Sequence, residues 1–313
     1  MACSWPCAGV PSVVNSESKM FHIPPNILLM QAIIGLALGA VFVLLASGLS
    51  MIYGLMDVVN FAHGVFFMLG AYAVYQFNLT LGNFWVGVAL AVLAVALLGA
   101  LTEISLLRPL YKTGNLLYPL LLTFGLALAL PDVVKMFYGL MPMPVNYPEG
   151  LQGSLLVGPL IVPKYRLFVI VLTFSVMFSL WRFLKKSNLG MILRATTTDK
   201  GMVDAMGINV NRVVTLGFSI GIALAALGGA VAAPMVSVEP NMGVNIVLQC
   251  FVVTVVGGLG SLGGAVVSGV IIGEVVAFTS LFAGGYADVV IYFVMAVILL
   301  VRPRGLFGEL SRE

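Results

Sequence analysis

The sequence predicts an all-α protein, a polytopic transmembrane helix bundle with 8–9 membrane segments, some broken or re-entrant. Three observations lead there. Of 313 residues, 61% are hydrophobic and only 9% are charged, 15 Lys plus Arg and 12 Asp plus Glu, against about 25% charged residues in a soluble globular protein. The apolar runs are continuous for about 18 residues or more, the length that crosses about 30 Å of hydrocarbon at a rise of about 1.5 Å per residue. Glycine is frequent, at 35 residues, as expected where helices pack closely in lipid. A soluble exterior needs charge to stay dispersed, so this composition excludes a soluble enzyme, a nucleic-acid binder and a disordered chain. It also argues against a β-barrel, whose strands alternate polar and apolar residues over about ten positions.

Residues 1–25 differ from the rest and read as an N-terminal tail. The tail is either disordered or partly upstream of the true start, with Met20 as the alternative first residue, and it lacks the basic n-region of a secretion signal. Cys3 and Cys7, in CSWPC, have no second pair with which to build a zinc site. Residues 26–308 read as one transmembrane domain. Its apolar segments are 27–53, 60–77, 84–106, 115–138, 166–184, 213–236, 243–257, 264–283 and 286–301. The second and seventh are short. The second carries Asn60 and His63 near its start, and the seventh runs into GGLGSLGG, a pattern typical of broken or re-entrant helices around a pathway. Cys250, in the seventh, reads as a packing residue.

Positive charge orients the segments. Arg108 and Lys112 follow the third. Arg182, Lys185, Lys186, Arg194, Lys200 and Arg212 cluster after the fifth, and Arg302, Arg304 and Arg312 follow the last. These edges are expected to face the cytoplasm, together with the C-terminus. The proline-rich loop 139–163, without Lys or Arg, is expected outside. The N-terminus lies outside if the second segment crosses fully, and inside if it is re-entrant.

The stretch 185–212, KKSNLGMILRATTTDKGMVDAMGINVNR, is the one long polar segment on the basic side. Its centre predicts a short helix from about Thr198 to Met206, capped by Thr197 or Thr198 and closed by Gly207, with Asp199 in the first turn. Such a helix suits docking into a cleft on a partner; the alternative is a basic loop held to lipid headgroups. Gly257, Gly258, Gly260, Gly263 and Gly264 lie between two apolar segments and form either a tight turn where backbones approach or a ligand loop. Glu274 is an acid inside a span. It costs roughly 2.5–3.5 kcal/mol at the bilayer centre, which its apolar neighbours offset. It is expected to face the bundle interior, in a structural hydrogen bond or in the pathway. Asn60 and His63 share one helical face and either brace a broken helix or contact substrate. No second His stands at ligand spacing, so no metal site is expected. Glu103 with Arg108, and Asp132 with Lys135, read as anchors at span ends.

The stretch RATTTDKGMVDAMGIN resembles the cytoplasmic coupling loop of ABC importer permeases, in the version found in the branched-chain amino acid (LivH type) family. GLSMIYGLMDVVNFAHGVFFMLGAY, GALTEISLLRPL, VVGGLGSLGGAVVSGVIIG and VILLVRPRGLFG resemble further stretches of that family in the same order, across roughly residues 27–308. The resemblance implies a permease subunit that passes branched-chain, hydrophobic amino acids delivered by a periplasmic binding protein, in a bacterial inner membrane. It implies a second homologous permease and two ATP-binding cassette ATPases as partners. Arg194, Asp199, Asp204, Ala205 and Gly207 would carry the coupling, and the Gly turn would be a conformational element. The sequence contains no GxxxxGK[ST] phosphate loop, so the chain is not expected to be an enzyme or to bind a cofactor, and ATP is left to the partners. Urea or short amides are the alternative substrates within the family. A stand-alone secondary transporter using Glu274 and His63 as a proton relay is the rival mechanism.

Overall fold

The computed structural model describes residues 24–111, 113–157 and 160–308. The N-terminal tail with Cys3 and Cys7, and also Lys112 and Arg312, lie outside the described residues. Within them the chain is a bundle of helices with one small hairpin, as the composition requires.

Helix α1 (Pro25–Met56) opens with Pro at its first position, where the missing N–H is no loss. Its 32 residues rise about 48 Å, more than the bilayer core. It ends at Asp57, the one described non-glycine residue with positive φ (56°). Next come α2 (His63–Leu81) and α3 (Phe84–Thr102), which continues through a π-helical segment (Glu103–Leu107) into α4 (Arg108–Tyr111). They are followed by α5 (Leu117–Tyr138) and α6 (Lys164–Lys186). After the loop segment come α7 (Asn188–Thr198), α8 (Lys200–Ala205), α9 (Val210–Ala232), α10 (Met242–Gly257), α11 (Leu262–Ala283) and α12 (Ala287–Val301). Seven helical stretches are long and apolar enough to cross a membrane, with α11 and α12 counted as one and α10 shorter. A single 3-10 turn, Gly284–Tyr286, divides that last stretch.

Contacts fix the direction of each helix. Gln31 near the start of α1 donates its Nε2 to Ala277 O and, at 3.3 Å, to Ser280 Oγ near the end of α11. Gly54 at the end of α1 meets Gly260, just before α11 begins. The two helices are therefore antiparallel. One end of the bundle collects the end of α1, Arg108, α7, α8, the 258–261 turn and the residues after α12. This is the basic end. Pro25 lies at the opposite end, with the Gly82 turn between α2 and α3. There too, Ser154–Val157 (β1) pairs antiparallel with Leu160–Pro163 (β2), and Met143 and Val238 exchange two backbone hydrogen bonds of 2.9 Å.

The core is built on α1, whose residues Ala40–Ala46 are almost wholly buried. It lies between α9 and α11, and glycine sets the separation. A Cβ on Gly39 would stand 2.9 Å from Gly269 O on α11, and one on Gly221 of α9 would stand 2.8 Å from Gly48 O. Lipid tails are as apolar as leucine, so helix association in a membrane depends on such close van der Waals contact rather than on hydrophobic burial.

The basic loop differs from its sequence reading. It contains two helices, α7 and α8, where one was predicted, and Asp199 lies between them as the N-cap of α8 instead of in its first turn. The reason is local. Thr197 and Thr198 turn their hydroxyls back to Arg194 O, at 2.7 and 3.2 Å, which prolongs α7 and leaves neither free to cap. Asp199, in extended backbone, accepts from Met202 N at 2.9 Å instead.

Gly39→Val is expected to force α1 from α11 and to lower the thermal midpoint of the detergent-purified protein, by about 1–3 kcal/mol of overpacking. Gly125→Ala, where an added Cβ meets nothing within 4 Å, is the control. Equal midpoints for the two variants would contradict the role given to Gly39.

Candidate coupling and translocation site

Four stretches far apart in sequence meet at the basic end. The first is the α7–α8 unit. Ser187 caps α7 by accepting from Gly190 N at 2.9 Å. α8 buries only Val203 and leaves Asp204, Ala205, Met202 and Met206 uncovered by the chain. It closes in a Schellman arrangement: Gly207 N bonds Asp204 O at 2.9 Å, Ile208 N bonds Val203 O at 3.4 Å, and Gly207 has φ +79°. Lys200, Asp204 and Gly207 border an open groove of about 580 Å³ that continues to Asn211. Arg194 and Asp199 stand on the same exposed unit.

The second stretch is the end of α1. Lys200 Nζ reaches Asp57 Oδ2 at 3.1 Å. This pair ties the N-terminus of α8 to the link 57–62 that leads into the membrane. A Cβ on Gly54 would lie 3.6 Å from Thr197 Cγ2 of α7, so α1 also touches the loop directly.

The third and fourth are the glycine turn and the C-terminal strap. Gly258 and Gly260 take φ values of +101° and +82°, which a residue with a side chain adopts only with strain. Ser261 then caps α11 through Gly264 N at 3.1 Å. Gly264 and Gly257 are in backbone contact, and Ser268 Oγ reaches back to Val253 O at 2.7 Å. Gly263 is open, with nothing near a Cβ. After α12 the strap lies along the end of α10. Leu306 N bonds Val256 O at 2.8 Å, and Phe307 N bonds Gly257 O at 3.0 Å.

Asn60 and His63 sit deeper. His63 is fully buried, and its Nε2 is 3.0 Å from Leu45 O. Leu45 precedes Met56 by eleven residues, about 16 Å along α1. The link 57–62 therefore climbs into the bundle before α2 begins, and α2 runs from the interior to the far end. Asn60 Oδ1 accepts from Ala62 N at 3.1 Å within this link. The Asn60 amide nitrogen and His63 Nδ1 have no partner among the described residues. Phe61, between them, stacks on Phe251 of α10 and meets Phe124 of α5 edge-on, with centroids 6.1 and 6.0 Å apart. Glu274 lies apart from this group, on α11 against the backbone of Gly35.

The family described as branched-chain amino acid transport system, permease component, matches residues 31–299. The chain belongs to this family. The permease is 31% identical over 297 residues to the high-affinity branched-chain amino acid transport system permease protein BraD of Pseudomonas aeruginosa, covering 90% of this chain and 96% of the relative. It is 29% identical to LivH of Escherichia coli over the same shares. It is 28% identical to a probable LivH of Methanocaldococcus jannaschii, covering 85% of this chain and 88% of that one. A solved structure of PsaBC from Streptococcus pneumoniae in complex with Fab aligns over 90% of this chain and 91% of that one, at 16% identity and a TM-score of 0.39.

Two features of the permease went unseen in the sequence. One is the Lys200–Asp57 tie, whose partners are 143 residues apart. The other is what Glu103 and Arg108 do. The π segment turns Glu103 inward to 1% exposure, where Arg108 grips it through Nη2–Oε2 at 2.8 Å and Nε–Oε1 at 3.3 Å. Thr215 of α9 completes the set, donating to Glu103 Oε2 at 2.7 Å and accepting from Arg108 Nη2 at 2.5 Å. The cluster thus locks the basic end of α3 and α4 to the helix that follows the α7–α8 unit. Its sequence signal was the spacing of five between acid and base, one residue longer than the usual helical pair and suited to the wider π turn. By contrast, Lys135 and Asp132 pair at the opposite end at 2.9 Å, an exposed i,i+3 contact.

Arg108→Gln leaves Glu103 buried without its cation and is expected to cost about 3–5 kcal/mol, read as a lower unfolding midpoint and lower yield. Adding Glu103→Gln removes the stranded charge and should recover much of the loss. A double variant no better than the single one would show that the pair does not act as a unit.

Proposed function

We propose that this permease is the membrane-spanning subunit of an ATP-driven importer that moves branched-chain, hydrophobic amino acids inward across a bacterial cytoplasmic membrane. It works with a second, homologous permease chain, two ATP-hydrolysing subunits and a periplasmic binding protein. The basic end faces the cytoplasm, and the C-terminal strap with it. The names of the relatives support the substrate class. The observation that carries the mechanism is the exposed α7–α8 unit, rigidly capped at both ends and tied to the interior.

The steps follow from the contacts. α8 offers Met202 and Met206, two flexible apolar side chains, beside the acid Asp204. This is a small amphipathic surface of the kind that packs into a cleft on another protein. Movement of that cleft on ATP binding displaces α8. Lys200 passes the displacement to Asp57, and the 57–62 link carries it to Phe61 between α5 and α10. The α9 route runs in parallel, from Arg212 to Thr215 and the Glu103–Arg108 pair. ATP chemistry stays with the partners, and this chain converts their motion into opening and closing.

Two variants test the assignment in proteoliposomes holding the complete transporter. Gly207→Pro cannot keep φ at +79°, since proline fixes φ near −65°, and Asp204→Arg reverses the charge on the docking face. Each is expected to abolish leucine uptake and its stimulation of ATP hydrolysis, with membrane insertion and helix content by circular dichroism unchanged. Coupled hydrolysis at the unmodified level in either variant would remove α8 from the coupling route.

A further inference from the structure

Hydroxyls on uncovered faces are satisfied by their own helix. Ser105, Ser175 and Ser179 donate to the carbonyls of Leu101, Val171 and Ser175, at 2.6, 2.7 and 2.8 Å. Such residues face hydrocarbon at little cost. Helix α10 breaks this pattern. Asn241, Asn245 and Gln249 recur every four residues along one face, with Asn241 and Asn245 exposed and Gln249 half-buried. Asn245 makes no side-chain hydrogen bond among the described residues. Gln249 Nε2 donates to Asp288 Oδ1 at 3.0 Å, and Asp288 at the start of α12 is itself exposed.

Depth makes this costly. Gln249 and Asn245 precede Gly257, where the strap marks the basic end, by eight and twelve residues, about 12 and 18 Å along the helix. Asp288 precedes Arg302 by fourteen residues, about 21 Å. Counted from the basic end, all three fall within about 30 Å, the thickness of a hydrocarbon core. An ionisable or doubly hydrogen-bonding side chain at that depth faces a cavity, water or a partner rather than lipid. The neighbouring outer face of α12, with Val289, Phe293 and Val297 exposed, is the apolar surface that lipid accepts.

We infer that the Asn245, Gln249 and Asp288 face lines the translocation pathway and holds the zwitterionic backbone of the passing amino acid; this rests on the transport reading above. The chemistry fits. Asp288 accepts from an ammonium group, and the carboxamides donate to a carboxylate. Leu248, exposed on the same side of α10, and the Phe251–Phe61 stack one turn toward the basic end provide an apolar seat for a branched side chain. The stripe has few partners and no buried cage, which suits transit rather than tight capture.

The test uses the complete transporter with Cys3, Cys7 and Cys250 replaced by alanine. Asn245→Cys and, as a lipid-facing control at similar depth, Phe293→Cys are exposed to a membrane-impermeant, charged thiosulfonate reagent. Asn245→Cys is expected to react at least about tenfold faster than Phe293→Cys, and saturating leucine should slow it. A rate equal to the control overturns the inference and makes the stripe a packing seam against the second permease. Fast labelling that leucine, isoleucine and valine leave unchanged overturns the substrate class while the wetted stripe stands. In parallel, Gln249→Leu should raise the KM for leucine uptake about tenfold, the loss of one hydrogen bond, with assembly intact. An unchanged KM overturns substrate contact at Gln249.

Discussion

Everything in this bundle depends on how closely α1 can be approached. In lipid there is no hydrophobic gain from bringing helices together, so contact distance decides stability. α1 meets α11 at Gly39 and Gly269, and meets α9 at Gly48 and Gly221. Removing side chains on both partners lets backbone touch backbone. The helix becomes a fixed central post, and the elements around it keep defined positions. In the proposed mechanism that rigidity lets a contact at Asp57 act about 16 Å deeper, since the post does not yield and the link beside it moves.

The same constraint explains why dispersed motifs belong together. The glycine turn brings α10 and α11 into contact through Gly257 and Gly264. The strap after α12 adds two backbone hydrogen bonds to the end of α10, satisfying carbonyls that a helix end leaves without partners. The α7–α8 unit leans on α1 through Thr197 and Gly54. Four stretches separated by up to two hundred and fifty residues thus form one surface. In the proposed mechanism a push on any of them is felt at the others, as a subunit driven from outside requires.

The sequence was most legible where one physical rule acts alone. Apolar run length located each described stretch long and apolar enough to cross a membrane, because hydrocarbon thickness sets that length directly. Gly207 could be read as a helix end because only a residue free to take positive φ closes a helix that way. Cys250 was legible as core and is buried. Illegible features were those set by competition or by distance. Asp199 displaced the threonines as the cap of α8 because their hydroxyls had a nearer acceptor in Arg194 O. The grip of Arg108 and Thr215 on Glu103 needed a π turn and a second helix. His63 and Asn60 were visible as unusual residues, but sequence alone could not place them in the packed link beside Leu45.

Charge scarcity carries the last step. A chain with so few ionisable groups leaves each one conspicuous, and the structure sorts them by company. Glu103 is buried and doubly held, so it fastens helices. Lys200 and Asp57 are exposed at the basic end, so their tie is weak and reversible, a property that suits a joint that must move. Glu274 lies against Gly35 with Oε2 unpartnered among the described residues, far from the cluster around Phe61. Among the described residues, Asp288 alone is an uncovered acid hydrogen-bonded to a carboxamide on a neighbouring helix. An acid costs about 2.5–3.5 kcal/mol in lipid, and the proposed pathway offsets that cost with water and a passing ammonium group, which is both small enough and of the right sign.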